Sequence, residues 1–252
     1  MPKEKAVYSY FLNGFSFLNK NIEIYFVLIV LILINTLLPV QDKSIIGLAF
    51  LLPSITLTVF QWGYNLSVPI FLVQKKSDKK LSYIYIRDTT VQTTKRLIVP
   101  ALILAILFTL FIIIFIIVIS AISNGDVEKI KTINQQFQNW VQNPIHLGLL
   151  PFSFIFALFS FFPIFFSLEK YGFIDSIKKS ITFSFKNLRF VVLLLAINIV
   201  SGLVIRAIIP GPLIETQIRS KLWSFLYQGL VTYSSLVITA SALLYYQDHQ
   251  KA

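Results

Sequence analysis

The sequence predicts an all-α membrane protein: one domain over residues 1–252, built as a polytopic bundle of six transmembrane helices with amphipathic helices at the interface. Three observations carry this prediction. Hydrophobic residues make up 56% of the 252 positions and charged residues only 13%, which is more apolar surface than a water-soluble domain buries. Long apolar runs recur along the chain. The cations gather between alternate runs.

Six apolar runs are long enough to cross a hydrocarbon layer of about 30 Å, at about 1.5 Å of helix per residue. The six predicted spans are residues 24–40, 45–73, 97–122, 147–168, 190–209 and 222–246. Pro53 and Pro69 predict kinks in the second span. The first span is followed by no small-residue cleavage pattern, so we interpret it as a retained helix and not as a signal peptide.

The cations predict orientation and partners. Sixteen of the 22 Lys and Arg residues lie in the two termini and the second and fourth connections. Since cations mark the cytoplasmic side, we expect a cytoplasmic (inner) membrane protein with both termini inside. The formal charge is +11, but it is divided among short segments, which favours anionic membrane lipids or a protein partner and excludes nucleic acid.

An amphipathic helix is predicted before the fifth span. Its apolar residues recur at steps of three and four, at Ile174, Ile177, Ile181, Phe185 and Leu188. Lysines occupy the other face, which is typical of a helix lying on a membrane. The candidate contacts for lipid head groups or a partner are Glu169, Lys178, Lys179, Lys186 and Arg189. A local ion pair is the simpler role for Glu169.

The longest outer connection, residues 123–146, has two interpretations. Its apolar residues fit one face of a helix, which predicts a second interfacial helix with Trp140 at head-group depth. Its Asn, Gln and Gly content is also typical of a partly disordered polar loop.

An internal repeat is indicated by two matches. Phe15, Ser16, Phe17 and Asn19 recur at an offset of 168, as Phe183, Ser184, Phe185 and Asn187. VPIFLVQKK and FPIFFSLEK end the second and fourth spans. The predicted unit is a lead helix, a span, an outer connection and a span, in three copies at residues 1–80, 81–173 and 174–252. Each copy crosses twice, so the copies would be parallel.

The even-numbered spans carry a polar stripe that the odd-numbered spans lack. Its candidate residues are Ser54, Thr58, Gln61, Asn65, Ser160, Gln228, Thr232 and Ser235. Polar side chains avoid lipid, so we expect the even spans to form an inner ring. The stripe has two interpretations: close helix packing, or a polar path for a lipid head group or small solute.

Catalytic and metal-binding patterns are missing from the sequence. It has no cysteine, and its two histidines, His146 and His249, have no partner at helical spacing. No nucleophile, acid–base pair or phosphate-binding glycine loop lies at membrane depth. We therefore expect no catalytic residue, no metal, no cofactor and no enzymatic activity.

The segment LEKYGFIDSIKKSITFSFKNLRF resembles the YciC-like group of six-span bacterial inner-membrane proteins. The resemblance lies in Glu169, Gly172, Ser176, Ser180, Asn187 and Arg189. That group is similar to the membrane domain of some glycerophosphodiester phosphodiesterases, and the resemblance implies a membrane fold without hydrolase activity. We expect a structural or accessory membrane protein whose basic inner face binds anionic lipid or a partner; the alternative is a lipid or small-solute transporter.

Overall fold

A computed structural model describes residues 6–38, 45–77, 79–122, 154–155, 157–208 and 217–250, together with residues 128, 132 and 135. Within these residues the regular structure is all helical. The elements are α1 (Val7–Lys20), α2 (Glu23–Leu37), α3 (Ile45–Lys76), α4 (Tyr83–Ile122), a π-helix (Ile164–Leu168), α5 (Phe173–Lys186), α6 (Leu188–Ile208) and α7 (Gln217–His249). The all-α prediction is confirmed.

Two of the described helices are long and apolar enough to cross a membrane, in the stretches Leu188–Ile205 and Lys221–His249. Helices α1 and α2 would add a third if the two, which meet at 73°, count as one bent element. The membrane character of the chain is therefore supported for two or three helices, and the number six stays a prediction. The predicted interfacial helix in residues 123–146 lies outside the described residues except at Glu128, Thr132 and Gln135.

Helices α1 and α5 end in the same way. Asn21 follows α1, and its side-chain amide donates to the carbonyl of Phe17 at 2.8 Å. Asn187 follows α5 with the same φ of −124°, and its amide donates to the carbonyl of Phe183, also at 2.8 Å. Each asparagine thus satisfies a carbonyl that the helix end leaves without a partner.

The two asparagines correct the register of the predicted repeat. They are 166 positions apart, whereas the Phe-Ser-Phe match gives an offset of 168. The buried residues agree with the smaller offset, because Tyr10, Gly14 and Leu18 of α1 correspond to Ser176, Ser180 and Ser184 of α5. The repeat itself stays a prediction, and the helix ends supply a better alignment for it than the shared letters do.

The middle lead segment differs from the other two. Helix α4 runs without a break for 40 residues, through Pro100. No Gly, Asn or Pro lies between Tyr83 and Val99, so nothing in the sequence ends a helix there. Residues 83–96 therefore continue directly into the predicted third span.

The elements that belong to even-numbered spans contact one another. Helix α3 packs against both α7 and the π-helix, and the ring centroids of Phe165 and Tyr246 join the π-helix to α7 at 5.3 Å. Half of the α7 stretch is buried, against 22% of the α6 stretch. Helix α7 therefore contributes more of its surface to the core than α6 does, although α6 still adds Phe190, Val191 and Leu194 to the core.

Each lead segment packs on an even-numbered span of another predicted unit. Helix α1 packs on α7, where a Cβ on Gly14 would lie 2.9 Å from the Cα of Ser241. The start of α4 packs on α3, where the hydroxyl of Ser67 lies 2.9 Å from that of Thr93. Helix α5 packs on the helical turn before the π-helix. Small side chains lie at all three contacts, which lets the backbones approach closely.

Candidate functional site: the basic surface around α5

Helix α5 has a buried face made of serines. Ser176, Ser180 and Ser184 have no exposed surface, and the last two donate to the same acceptor, the carbonyl of Leu158, at 2.8 and 2.9 Å. The sequence pattern predicted two faces, one apolar and one basic. The structure adds the serine face, which fixes α5 to the bundle; its signal in the sequence is the four-residue spacing of the serines.

The Leu158 carbonyl is available because the helix is interrupted after it. In a regular helix the amide of Phe162 would donate to Leu158. Pro163 has no amide to donate to Phe159, and the amide of Phe162 donates to Phe159 instead, at 2.9 Å. A buried carbonyl without a donor is costly, and the two serine hydroxyls supply donors.

The other two faces of α5 are exposed side by side. On the apolar face, Ile174 is 59% and Phe185 53% exposed. On the basic face, the side chains of Lys178, Lys179, Lys186 and Arg189 are exposed. The serine face meets protein, so the apolar and basic faces are the two that α5 leaves exposed. This is the side-chain distribution of a helix at a membrane interface.

A tight turn joins the π-helix to α5. The amide of Glu169 donates to Ile164 at 3.0 Å, and its carboxylate accepts the hydroxyl of Tyr246 at 3.2 Å. The ion pair expected for Glu169 is thus replaced by a tyrosine hydroxyl. Lys170 has a φ of 57°, a left-handed conformation that costs a non-glycine residue about 1 kcal/mol or more.

Arg96 holds this turn from the side of α4. Its guanidinium donates to the carbonyl of Tyr171 at 2.7 Å and lies 4.5 Å from the centroid of the Phe166 ring. Burial lowers the pKa of Arg96. The ammonium of Lys179 lies 4.2 Å from the centroid of the Tyr171 ring, so cations contact both sides of the turn. No sequence pattern indicated Arg96, because its partner is a carbonyl 75 positions away.

A second charged contact joins α2 to α3. Glu23, just before the first predicted span, forms a salt bridge with Lys75 at the end of α3. Burial raises the pKa of Glu23, but the hydrogen bond from Lys75, a backbone hydrogen bond and the charge of Lys75 together have the larger effect, and the pKa lies below its ordinary value. The pair connects the break between α1 and α2 to the basic end of α3.

The polar stripe is only partly brought together. Asn35 of α2 accepts from the hydroxyl of Ser54 at 2.7 Å and donates to that of Thr58 at 3.2 Å. In the sequence, Asn35 is an isolated polar residue on an odd-numbered span. In the structure Asn35 bonds the two stripe residues nearest the start of α3, which is a packing role.

The remaining stripe residues do not share one surface. Gln61, Asn65, Ser160 and Thr232 are half-buried, whereas Gln228 and Ser235 are exposed. Gln228 donates within its own helix, to Ser224 at 3.2 Å. The reason is the rotation of α7, which turns the buried Gly229 toward α2, where Tyr25 donates to its carbonyl at 2.9 Å. Gln228 and Ser235 thus lie away from the inward position predicted for them.

Comparisons with family models, curated proteins and solved structures found no match to this chain. The resemblance to the YciC-like group stays a prediction that rests on the residues quoted for it. Among the described residues, no cluster of three or more His, Asp or Glu side chains could hold a metal ion. The surface around α5 thus combines exposed cations with exposed apolar side chains.

Proposed function

We propose that this chain is a non-enzymatic integral protein of the cytoplasmic membrane, with six spans, both termini inside, and a basic inner surface that binds anionic lipid. The proposed lipid contacts are those on α5 and after it: Lys178, Lys179, Lys186 and Arg189. The role is structural or accessory. The resemblance to the YciC-like group implies the same layout.

The six-span proposal adds further helices to the two or three that are long and apolar enough to cross a membrane. Helices α3 and α4 have 32 and 40 residues, and each is longer than the roughly 20 residues that a span needs. Together with α2, α6 and α7, they cover five of the six predicted spans. The fourth predicted span ends in the π-helix.

The observation that carries the proposal is the pair of exposed faces on α5. A helix docking an acidic protein partner would need only the cations. Here Ile174 and Phe185 are exposed beside them, and exposed apolar side chains next to lysines favour a membrane surface. Each cation near an anionic membrane contributes about 1 kcal/mol of binding.

The rival transport function has less support. A polar path needs side chains that face a shared cavity. Ser54 and Thr58 are instead bonded to Asn35, and Gln228 is exposed. The bonds to Asn35 favour the packing interpretation of the stripe, and thus the structural or accessory role.

The experiment compares two charge-matched variants purified in mild detergent with mixed lipids. Lys178→Gln with Lys186→Gln removes two exposed cations from α5, and Lys79→Gln with Lys80→Gln removes two exposed cations from the segment before α4. We expect the α5 variant to bind phosphatidylglycerol roughly 30-fold more weakly by native mass spectrometry, since two cations at about 1 kcal/mol each are removed. The control should retain the same amount of phosphatidylglycerol as the wild type, to within about twofold.

Equal losses in the two variants would mean that net charge, and not the α5 surface, attracts the lipid. Unchanged lipid with loss of a co-purifying acidic protein in the α5 variant alone would assign the surface to a protein partner. Either outcome would contradict the lipid proposal.

A further inference from the structure

A polar cleft of about 310 Å³ lies between α1, the end of α3 and the end of α7. It is separate from the α5 surface, but it occupies the corresponding flank of α1: Lys20 matches Lys186 at the offset of 166 that the helix ends define. Two cations, Lys20 and Lys76, and one carboxylate, Asp248, line the cleft. The α5 flank has cations at Lys178 and Lys179, where α1 has Leu12 and Asn13.

The cleft contains side chains that can bind a negatively charged group and a side chain that can bind a positively charged group. Lys20 and Lys76 can bind a phosphate, with Asn13 and Ser16 as additional hydrogen-bonding side chains. Lys76 is held in place by a hydrogen bond to Gln247 at 2.7 Å. A purely anionic ligand would meet the carboxylate of Asp248 unfavourably, because like charges repel. A ligand with a phosphate and an ammonium would use both.

Asp248 is held by Tyr10. The hydroxyl of Tyr10 donates to the carboxylate at 3.2 Å. Burial, and then the negative charge of Asp248 with this hydrogen bond, raise the pKa of Tyr10, so the hydroxyl keeps its proton at neutral pH. The neutral hydroxyl of Tyr10 therefore helps to orient the carboxylate of Asp248.

Apolar side chains also line the cleft. Phe17 and Leu244 contribute to its lining and are half-buried. Elsewhere on α1, Leu12 is 57% and Phe15 44% exposed. An occupant with a polar head and an apolar tail can contact the cleft and this apolar flank together.

We infer that the cleft binds the head group of an amine-bearing phospholipid, with its phosphate on Lys20 and Lys76 and its ammonium on Asp248. The inference rests on the proposed membrane placement. It adds a zwitterionic lipid to the anionic lipid proposed for α5. Phosphatidylethanolamine has the required N–H donors, whereas phosphatidylcholine carries three methyl groups in their place and cannot donate to a carboxylate.

The experiment measures competition between phosphatidylethanolamine and phosphatidylcholine with identical acyl chains, on the full chain in detergent, by native mass spectrometry. We expect the wild type to prefer the ethanolamine lipid. Asp248→Asn should reduce that preference by about three- to tenfold, the range expected for losing a charged hydrogen bond. Asp248→Glu should restore most of it, and Asp175→Asn, which removes an exposed carboxylate from α5, should leave it unchanged.

The double variant Lys20→Gln with Lys76→Gln tests the phosphate end of the site. It should weaken the binding of both lipids by a similar factor. An unchanged lipid preference in Asp248→Asn would overturn the inference, even if the α5 variant still loses phosphatidylglycerol and the proposed function stands. Equal binding of soluble glycerophosphoethanolamine and of the lipid would also overturn it, because the apolar contacts would then contribute nothing.

Discussion

At the scale of single residues, one carbonyl shows how this chain satisfies polar groups that a broken helix exposes. Pro163 removes a regular hydrogen bond, and the amide of Phe162 moves to Phe159. The carbonyl of Leu158 then depends on two serines from α5. Because both serine hydroxyls donate to the same carbonyl, either serine can partly replace the other.

This arrangement predicts a non-additive pair of substitutions. Ser180→Ala or Ser184→Ala should each cost less than about 1 kcal/mol of stability, since the other serine still donates. The double variant leaves the buried carbonyl without either donor and should cost about 1–3 kcal/mol more than the sum of the single variants. Thermal unfolding in detergent measures the coupling. Thr182→Ala, on the exposed face, serves as the control.

Strict additivity in this cycle would contradict the shared-acceptor geometry. It would mean that the serines stabilise α5 by their small size and not by their hydroxyl groups.

At the scale of elements, the lead helices dock through backbones that approach closely. A Cβ on Gly14 would lie 2.8 Å from the backbone nitrogen of Ser241, and a Cβ on Gly63 would lie 3.1 Å from the Cα of Thr94. Neither neighbouring backbone can move away as a flexible side chain could. These two glycines therefore set the distance between α1 and α7 and between α3 and α4.

Gly14→Ala should therefore separate α1 from α7. We expect it to destabilise the protein by about 1–3 kcal/mol, the usual cost of overpacking. A Cβ on Gly202 of α6 would meet no described atom within 4 Å, so Gly202→Ala should be neutral or stabilising by up to about 1 kcal/mol. Thermal unfolding of the two variants compares them directly, and equal effects would contradict the close contact at Gly14.

At the scale of the whole molecule, the three lead segments pack in a cyclic order. The lead segment of the first predicted unit packs on the third unit. The lead segment of the second unit packs on the first unit, and that of the third unit packs on the second. This order is what three parallel copies around an axis along the membrane normal would produce. It also places all three lead segments at one end of the bundle, the end where Lys75 and Lys76 finish α3.

The layout predicts which loops face the cytoplasm. The chain has no native cysteine, so single cysteines report their own position. Ser77→Cys, in the exposed segment after α3, should be protected in intact cells from a membrane-impermeant maleimide. Thr132→Cys, exposed in the third connection, should react. Reaction of both residues, or of Ser77→Cys alone, would contradict the six-span topology with both termini inside.

The sequence by itself determined the helical class, the apolar runs and the basic character of α5, because these depend on composition and local periodicity. The bounds of α6, Leu188–Ile208, follow the predicted span at residues 190–209 closely, whereas α4 begins at Tyr83, well before the predicted span at residues 97–122. The sequence also indicated a repeat, which stays a prediction; its shared letters give an offset of 168, whereas the two asparagine caps are 166 positions apart.

Only the tertiary structure decided what each polar residue contacts. The partners of Asn35, Arg96 and Ser180 lie between 19 and 75 positions away, and no local pattern specifies such pairs. Likewise, the rotation of α7 is fixed by the contact of Gly229 with Tyr25, and that rotation leaves Gln228 exposed. Periodicity shows which residues share a face of a helix, whereas packing against other helices determines where that face points.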